Sequence, residues 1–340
     1  MEVGLVLAVP GFVGSALEPL LGVAGDMAHR RGLLLVGGVL FALSAALTAV
    51  AWNPWSLLVA LAVGNPASTA FVSFAQASLM DLEPAARGRN MARWTLAGSL
   101  GIVAGPIVLT LAVALGGGWR AISIVLALLA LGLTVAAART PLPVVERRES
   151  FRDALEQAAR ALRRREVLRW IALLEASDLM LDVFHAFLAL YLVDVAGAGP
   201  VEVGLALGVW TGAGLVGDAL LLVVLQRVEG VRYLRASALA VTGVFPLVLL
   251  VSGTGAGLPL LALLGLLNAG WYAIPKAGLY DALPGRSGTA IAVGSVGGLA
   301  GAAVPLLLGL AAERVGLGAT MWLLLLAPVA LLVGLPRSKS

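Results

Sequence analysis

Eleven apolar runs dominate this chain, near residues 3–22, 32–51, 55–79, 91–115, 119–138, 168–193, 202–226, 233–252, 258–280, 289–312 and 317–335. A helix needs roughly 20 apolar residues to cross a bilayer. Lipid cannot hydrogen-bond a backbone, so such runs must satisfy their own N–H and C=O groups as α-helices. The composition leaves no soluble alternative. Hydrophobic residues make up 60% and charged residues 12% of the 340, against about 45–50% and about 25% in soluble domains. This excludes a soluble enzyme, a disordered regulator and a DNA-binding domain. The net charge of +4 does not imply nucleic acid, because the arginines flank membrane spans. The chain has no cysteine, which excludes disulfides and thiolate metal sites. The first residues lack the basic region and cleavage site of a signal peptide.

The basic residues set the direction of the spans, since Lys and Arg are retained in cytoplasmic loops. Of 23 basic residues, 20 fall on alternate loops, with Arg120 and Arg314 opposite and Lys276 inside a span. The pattern puts the C-terminus in the cytoplasm, in a membrane of inner, prokaryotic type. The long connection from Arg139 to Arg169 divides the chain into 1–138, a linker 139–166, a second half 167–336 and a tail 337–340. Within the linker, Ser150 and Asp153 have capping-box spacing. Phe151, Leu155, Ala158 and Leu162 form an apolar stripe, which predicts an amphipathic helix on the membrane surface.

The halves repeat at an offset of 200 residues. Glu2-Val3-Gly4-Leu5 matches Glu202-Val203-Gly204-Leu205, Gly14 matches Gly214, Glu18 faces Asp218, and Asp81 and Pro84 match Asp281 and Pro284. Two similar membrane halves joined by a linker are the layout of a transporter that rocks one half against the other. The span near 168–193 has no counterpart ahead of Glu2. The repeat leads to an expectation of twelve helices with the first absent from the first half, through a late start or a lost span.

Four ordered motifs resemble the major facilitator superfamily. Gly22-Val-Ala-Gly-Asp26-Met-Ala-His-Arg30-Arg31 is similar to its signature loop between family helices two and three. Asp81-Leu-Glu-Pro84-Ala-Ala-Arg87-Gly88-Arg89 resembles the next inner loop. Gly101-Ile-Val-Ala-Gly105-Pro106 resembles its fifth-helix signature, and Gly118-Trp119-Arg120 the following outer turn. The resemblance implies an all-α, two-half bundle, with family helices two to six in 1–138 and seven to twelve in 167–336. It implies a cytoplasmic latch built from Gly22, Asp26, Arg30, Arg31, Asp81, Arg87 and Arg89, to which Asp218 is added by depth. Asp and Arg there can form charge-assisted, conformation-dependent bonds. Met27 and His29 depart from the signature. Pro106 is followed by no Gly pair, and no basic residue lies between Trp55 and Asp81, unlike many proton-coupled drug antiporters. The glycine pair Gly101/Gly105, with Pro106 beside it, reads as a helix-packing surface, as do Gly294/Gly298 and Gly297/Gly301.

The span 168–193 carries Glu175, Asp178, Asp182 and His185, on a face roughly 80° wide at ~100° per residue. Each carboxylate at mid-membrane costs about 2.5–3.5 kcal/mol. Three cost roughly 8–10, and a dozen apolar residues return only about 4–7. Such a helix needs neighbours or a water-filled cavity on its acidic side. Two further stripes accompany it. Asn65, Thr69, Ser73 and Gln76 lie on the third run, and Asn268, Tyr272 and Lys276 recur every four residues on the ninth. In the resembling family these helices line the central path. Lys276 is expected to join Glu175, Asp218 or both in an inner charge cluster. Asp178 or Asp182 is expected to couple proton movement or to bind a cationic solute.

Gly212-Ala-Gly214-Leu-Val-Gly217 matches a dinucleotide fingerprint in form, but it lies inside a span with no preceding strand. No enzyme, cofactor or metal signature remains. The reading is a monomeric secondary transporter of small organic solutes, partnered by the bilayer, its substrate and protons, and exporting its solute. An uptake permease and a transport-dead scaffold are the alternatives.

Overall fold

A computed structural model describes residues 2–27, 30–141, 150–251 and 254–336. His29, part of the linker and the 337–340 tail lie outside these. Every regular element among the described residues is helical. The first half holds α1 (Glu2–Ala24), α2 (Arg30–Val50), α3 (Pro54–Leu82), α4 (Arg87–Ala114) and α5 (Gly118–Arg139), and the linker holds α6 (Phe151–Ala161). Next come α7 (Arg165–Asp178) and α8 (Phe184–Asp194), joined by a π-turn at Leu179–Val183. Then follow α9 (Pro200–Val224), α10 (Gly230–Leu250), α11 (Thr254–Leu267), α12 (Ala273–Ala282), α13 (Ser287–Gly301), α14 (Val304–Val315), α15 (Leu317–Met321) and α16 (Leu326–Gly334).

Among the described residues nine helical segments are long and apolar enough to cross a membrane, and Val9–Ala24 and Gly257–Leu267 are shorter apolar helices. All eleven runs read from the sequence are thus helical, but two are not continuous. The run 258–280 breaks between α11 and α12, where Gly270 takes φ +79°, a left-handed conformation that glycine reaches at little cost. The break is stitched to α10. Ser237 donates its hydroxyl to the Leu267 carbonyl, and Trp271 Nε1 donates to Ser237 Oγ at 2.8 Å. The run 289–312 breaks between α13 and α14, just ahead of Pro305, whose ring cannot donate back to the Gly301 carbonyl.

The 200-residue offset reappears in the helices themselves. Helices α1, α2 and α4 begin at 2, 30 and 87, and α9, α10 and α13 begin at 200, 230 and 287. The packing repeats as well: α3 packs on α1 and α2 as α11 packs on α9 and α10, and α2 meets α5 as α10 meets α16. Helix starts follow local chemistry. Asn53 caps α3, accepting from the Ser56 N–H at 2.8 Å, with Pro54 at the first helical position. Proline suits that site because its missing N–H would have had no partner.

Compactness groups the chain differently from the repeat. One unit comprises Met1–Arg87, Ala104–Val167 and Tyr280–Val296; the other comprises Gly88–Val103, Leu168–Leu279 and Gly297–Ser340. Two hydrogen-bonded contacts show why. The start of α13 is held by Asp26 of α1's C-terminal turn, and the first part of α4 reaches α9 through Ser99 and Asp218.

Helix α6 forms where expected, with Ser150 Oγ accepting from the Asp153 N–H at 3.2 Å. Its contact with the rest of the unit takes Ala158 from the expected stripe and adds Ala154. Ala154 and Ala158 pack with Val23 of α1 and Ala292 of α13. Phe151 and Leu155, also of that stripe, are 42% and 44% exposed. Alanine wins the contact because its small side chain lets the helix backbones approach closely.

Candidate functional site

Two polar constellations stand out, one in each unit. In the first, Gly22 brings α1 against α13, and a Cβ there would lie 2.6 Å from the Ala292 backbone nitrogen. That approach places Asp26 at the start of α13. Its carboxylate accepts from the backbone N–H of Gly288 and of Thr289, both at 2.7 Å, and from the Thr289 hydroxyl at 2.6 Å. The N-terminal turn of a helix has N–H groups without intrahelical partners and a partial positive charge, so a buried carboxylate is stabilised there.

From Asp26 the charges alternate through the fold. Arg30 meets Asp26 at 3.4 Å, Asp81 at 2.5 Å and the Gly25 carbonyl at 2.8 Å. Asp81 also accepts the Ser287 hydroxyl. Arg87 lies 3.9 Å from Asp81 and bonds Asp281 at 3.0 Å. Asp81 and Asp281, equivalent across the repeat, therefore flank one arginine. Asp26, Arg30 and Arg87 are buried, and each arginine has two carboxylates within 4.0 Å, so loss of one acid leaves it the other. Of the other expected latch residues, Arg31 turns away and donates to the Ala138 carbonyl at 2.5 Å. Arg89 lies on an exposed part of α4, and Asp218 belongs to the second constellation.

That second constellation is a cavity of about 360 Å³. Its wall includes Asp178, Asp182 and His185 around the π-turn, Trp210, Thr211 and Asp218 of α9, Asn268, Gly270 and Tyr272 around the α11–α12 break, and Thr95, Ser99 and Ile102 of α4. The π-turn matters here. Phe184 N–H reaches back five residues to the Leu179 carbonyl, and Asn268 Nδ2 donates to the Met180 carbonyl at 3.3 Å. Such single turns inside helices recur at functional sites. The His185 ring lies 5.1 Å from that of Trp210, tilted by 32°. Asp218 accepts from Ser99 Oγ at 2.6 Å and bonds the Gly270 backbone.

The acidic stripe of the seventh helix therefore divides. Asp178, Asp182 and His185 line the cavity, while the Glu175 carboxylate lies against Gly297 and Gly301 of α13. Lys276 is within electrostatic reach of Glu175 and of Asp178, but among the described residues no ion pair within 4.0 Å joins it to Glu175, Asp178 or Asp218. The stripe Asn268–Tyr272–Lys276 is not one face, because the helix breaks inside it; Asn268 and Tyr272 face the cavity and Lys276 does not. In the first unit, Asn65 and Thr69 line a groove of about 500 Å³ with Ser44, Ser68 and Ser73. Gln76 instead accepts from the Tyr280 hydroxyl at 3.1 Å. Pro106 is exposed, and a Cβ at Gly101 or Gly105 would enter open space, so no described residue packs on that glycine pair.

Sequence reasoning missed Trp210, Thr95, Ser99 and Thr211 in the cavity and Ser287 and Thr289 in the charge network. Thr95 and Ser99 are one helical turn apart, a spacing that places both on one side of α4. Nothing in the sequence marked the π-turn.

Residues 1–305 match the sequence pattern of the Major Facilitator Superfamily. The chain belongs to that superfamily. As a superfamily member it is a membrane-embedded secondary transporter acting on a small molecule, and not an enzyme. Its fold is similar to FucP in the outward conformation, with a TM-score of 0.81 at 15% identity, covering 100% of this chain and 91% of that one. A variant of the E. coli fucose:proton symporter FucP gives a TM-score of 0.81 at 16% identity, with the same coverage. The human organic anion transporter MFSD10 (TETRAN) gives 0.76 at 21%, covering 98% of this chain and 83% of that one. At these identities the likeness speaks to the fold alone. No curated protein matches the chain in sequence.

Proposed function

We propose that this superfamily member exports small organic solutes by alternating access, driven by a proton or other ion gradient. The solute binds in the cavity bounded by α4, α7–α8, α9 and the α11–α12 break. Asp178 and Asp182 couple it to the ion. The observation that carries this reading is the three-carboxylate wall of Asp178, Asp182 and Asp218 around a space of about 360 Å³, since ionisable groups at membrane depth mark substrate and ion pathways. The network of Asp26, Arg30, Asp81, Arg87 and Asp281 acts as the cytoplasmic latch, with the C-terminus inside and residues 1–138 and 167–336 as the moving halves. Proton-driven uptake is the second reading, favoured by the structural likeness to a fucose:proton symporter.

The test is flux in proteoliposomes of fixed orientation, with a solute panel and an imposed pH gradient. Export predicts accumulation against the gradient from the C-terminal side, abolished in Asp178→Asn/Asp182→Asn. Accumulation in the reverse direction would establish uptake, and gradient-independent flux in both proteins would remove the coupling role.

A further inference from the structure

The second-unit cavity also carries information about what it holds. Its wall presents the carboxylates of Asp178, Asp182 and Asp218 and the ring of His185, and none of its lining residues is Lys or Arg. Asp218 is already engaged by Ser99. No hydrogen bond to a described residue engages the carboxylates of Asp178 or Asp182. Two further wall residues, Asn268 and Trp210, are 5% and 8% exposed, yet Asn268 Oδ1 and Trp210 Nε1 have no hydrogen-bond partner among the described residues. A buried polar atom left unpaired is costly, and native structures rarely keep one without a use. Asn268 spends its donor on the Met180 carbonyl, so the atom left over is an acceptor. The unmet capacity of the wall is therefore mainly acceptor and anionic, with one indole donor.

We propose that the transported solute is a small organic cation with an amine- or amidine-type head. The head is held by Asp178 and Asp182, a donor on the solute meets Asn268 Oδ1, and an acceptor on it meets Trp210 Nε1. Aromatic faces attract cations, and Trp210 and Tyr272 bring two to this wall. The apolar side chains of Ile102, Leu181 and Leu215 suit the body of such a molecule. The space is at the small end of the ~300–1,000 Å³ typical of small-molecule sites, which favours a compact solute. An organic anion would face three carboxylates with no Lys or Arg among the lining residues. This proposal deepens the transporter reading and rests on it.

Proflavine, a compact cation with two amino donors, serves as the probe. Its fluorescence anisotropy is titrated with the full chain in zwitterionic-lipid nanodiscs, with L-fucose and benzoate as competitors. Saturable binding is expected, weakened at least about tenfold in Asp178→Asn/Asp182→Asn and severalfold in Asn268→Leu and Trp210→Phe, as loss of charge-assisted and neutral bonds predicts. Neither competitor should displace the probe, and thermal melting of each variant shows that it is folded. Absence of saturable binding, equal binding by the folded double-aspartate variant, or displacement by fucose or benzoate would overturn the cation assignment. If fucose or benzoate is bound and carried into liposomes, the transporter reading stands while the cation assignment fails. If proflavine binds as described but no panel member crosses, the transporter reading fails by itself.

Discussion

Replacing Asp26 with alanine should loosen the start of α13 by an amount that hydrogen exchange can read. The side chain is buried and accepts from two backbone N–H groups of α13 at 2.7 Å and from the Thr289 hydroxyl at 2.6 Å. Hydrogen bonds to a charged acceptor contribute about 1.5–3 kcal/mol each. The two backbone bonds alone then amount to about 3–6 kcal/mol. Water entering the vacated volume returns part of this, leaving a loss of about 2–4 kcal/mol. At 1.4 kcal/mol per tenfold, the Gly288 and Thr289 amides should exchange roughly 30- to 700-fold faster. Arg30 does not collapse with them, because it keeps Asp81 and the Gly25 carbonyl. Asp26→Asn retains one acceptor oxygen and should fall between wild type and alanine. The assay is exchange mass spectrometry on the peptide spanning residues 284–294, with Asp281→Asn as the control. The Asp281 side chain is 60% exposed, so its pair with Arg87 contributes only about 0–1 kcal/mol, and exchange should change little. Unchanged exchange in Asp26→Ala, or an equal effect in Asp281→Asn, would refute the capping argument.

Two further predictions use thermal melting in detergent. Gly22→Ala should lower the melting temperature markedly, because its Cβ would meet backbone atoms of Ala292 and Gly288 at 2.6–2.9 Å, which no rotamer change relieves; overpacking of this kind costs about 1–3 kcal/mol or more. Gly101→Ala, whose Cβ enters open space, should be neutral or stabilising by about 0.5–1 kcal/mol through helix propensity, and equal effects at the two sites would contradict the helix crossing described above. Phe184→Ala should cost about 3–5 kcal/mol, since the ring is fully buried and packs edge-on against Trp210 and Phe245 at 5.7 and 5.5 Å. The exposed Phe12 is its control, and a loss there as large as at Phe184 would sink the packing argument.

Hydropathy and charge placement were enough to identify a helical membrane protein, because a bilayer imposes length and polarity on each span separately. The 200-residue offset was legible for a similar reason: matched residues at constant spacing require matched helices, and α1, α2 and α4 recur as α9, α10 and α13. The latch residues Asp26, Arg30, Asp81 and Arg87 could be named from short local motifs. Their partners Ser287 and Thr289 could not, because they lie more than 200 residues away and are ordinary as residue types. The acidic stripe of the seventh helix shows the boundary most plainly. Periodicity put Glu175, Asp178, Asp182 and His185 on one face. A π-turn and the hollow beside Gly297 and Gly301 then sent Glu175 one way and the other three into a cavity. The break at Gly270 likewise separated Lys276 from Asn268 and Tyr272. Sequence alone determined that the chain spans a membrane as helices in two related halves, since lipid acts on each segment locally. Tertiary structure alone decided which buried polar groups share a site, since that depends on how each helix is interrupted and which distant backbone approaches it.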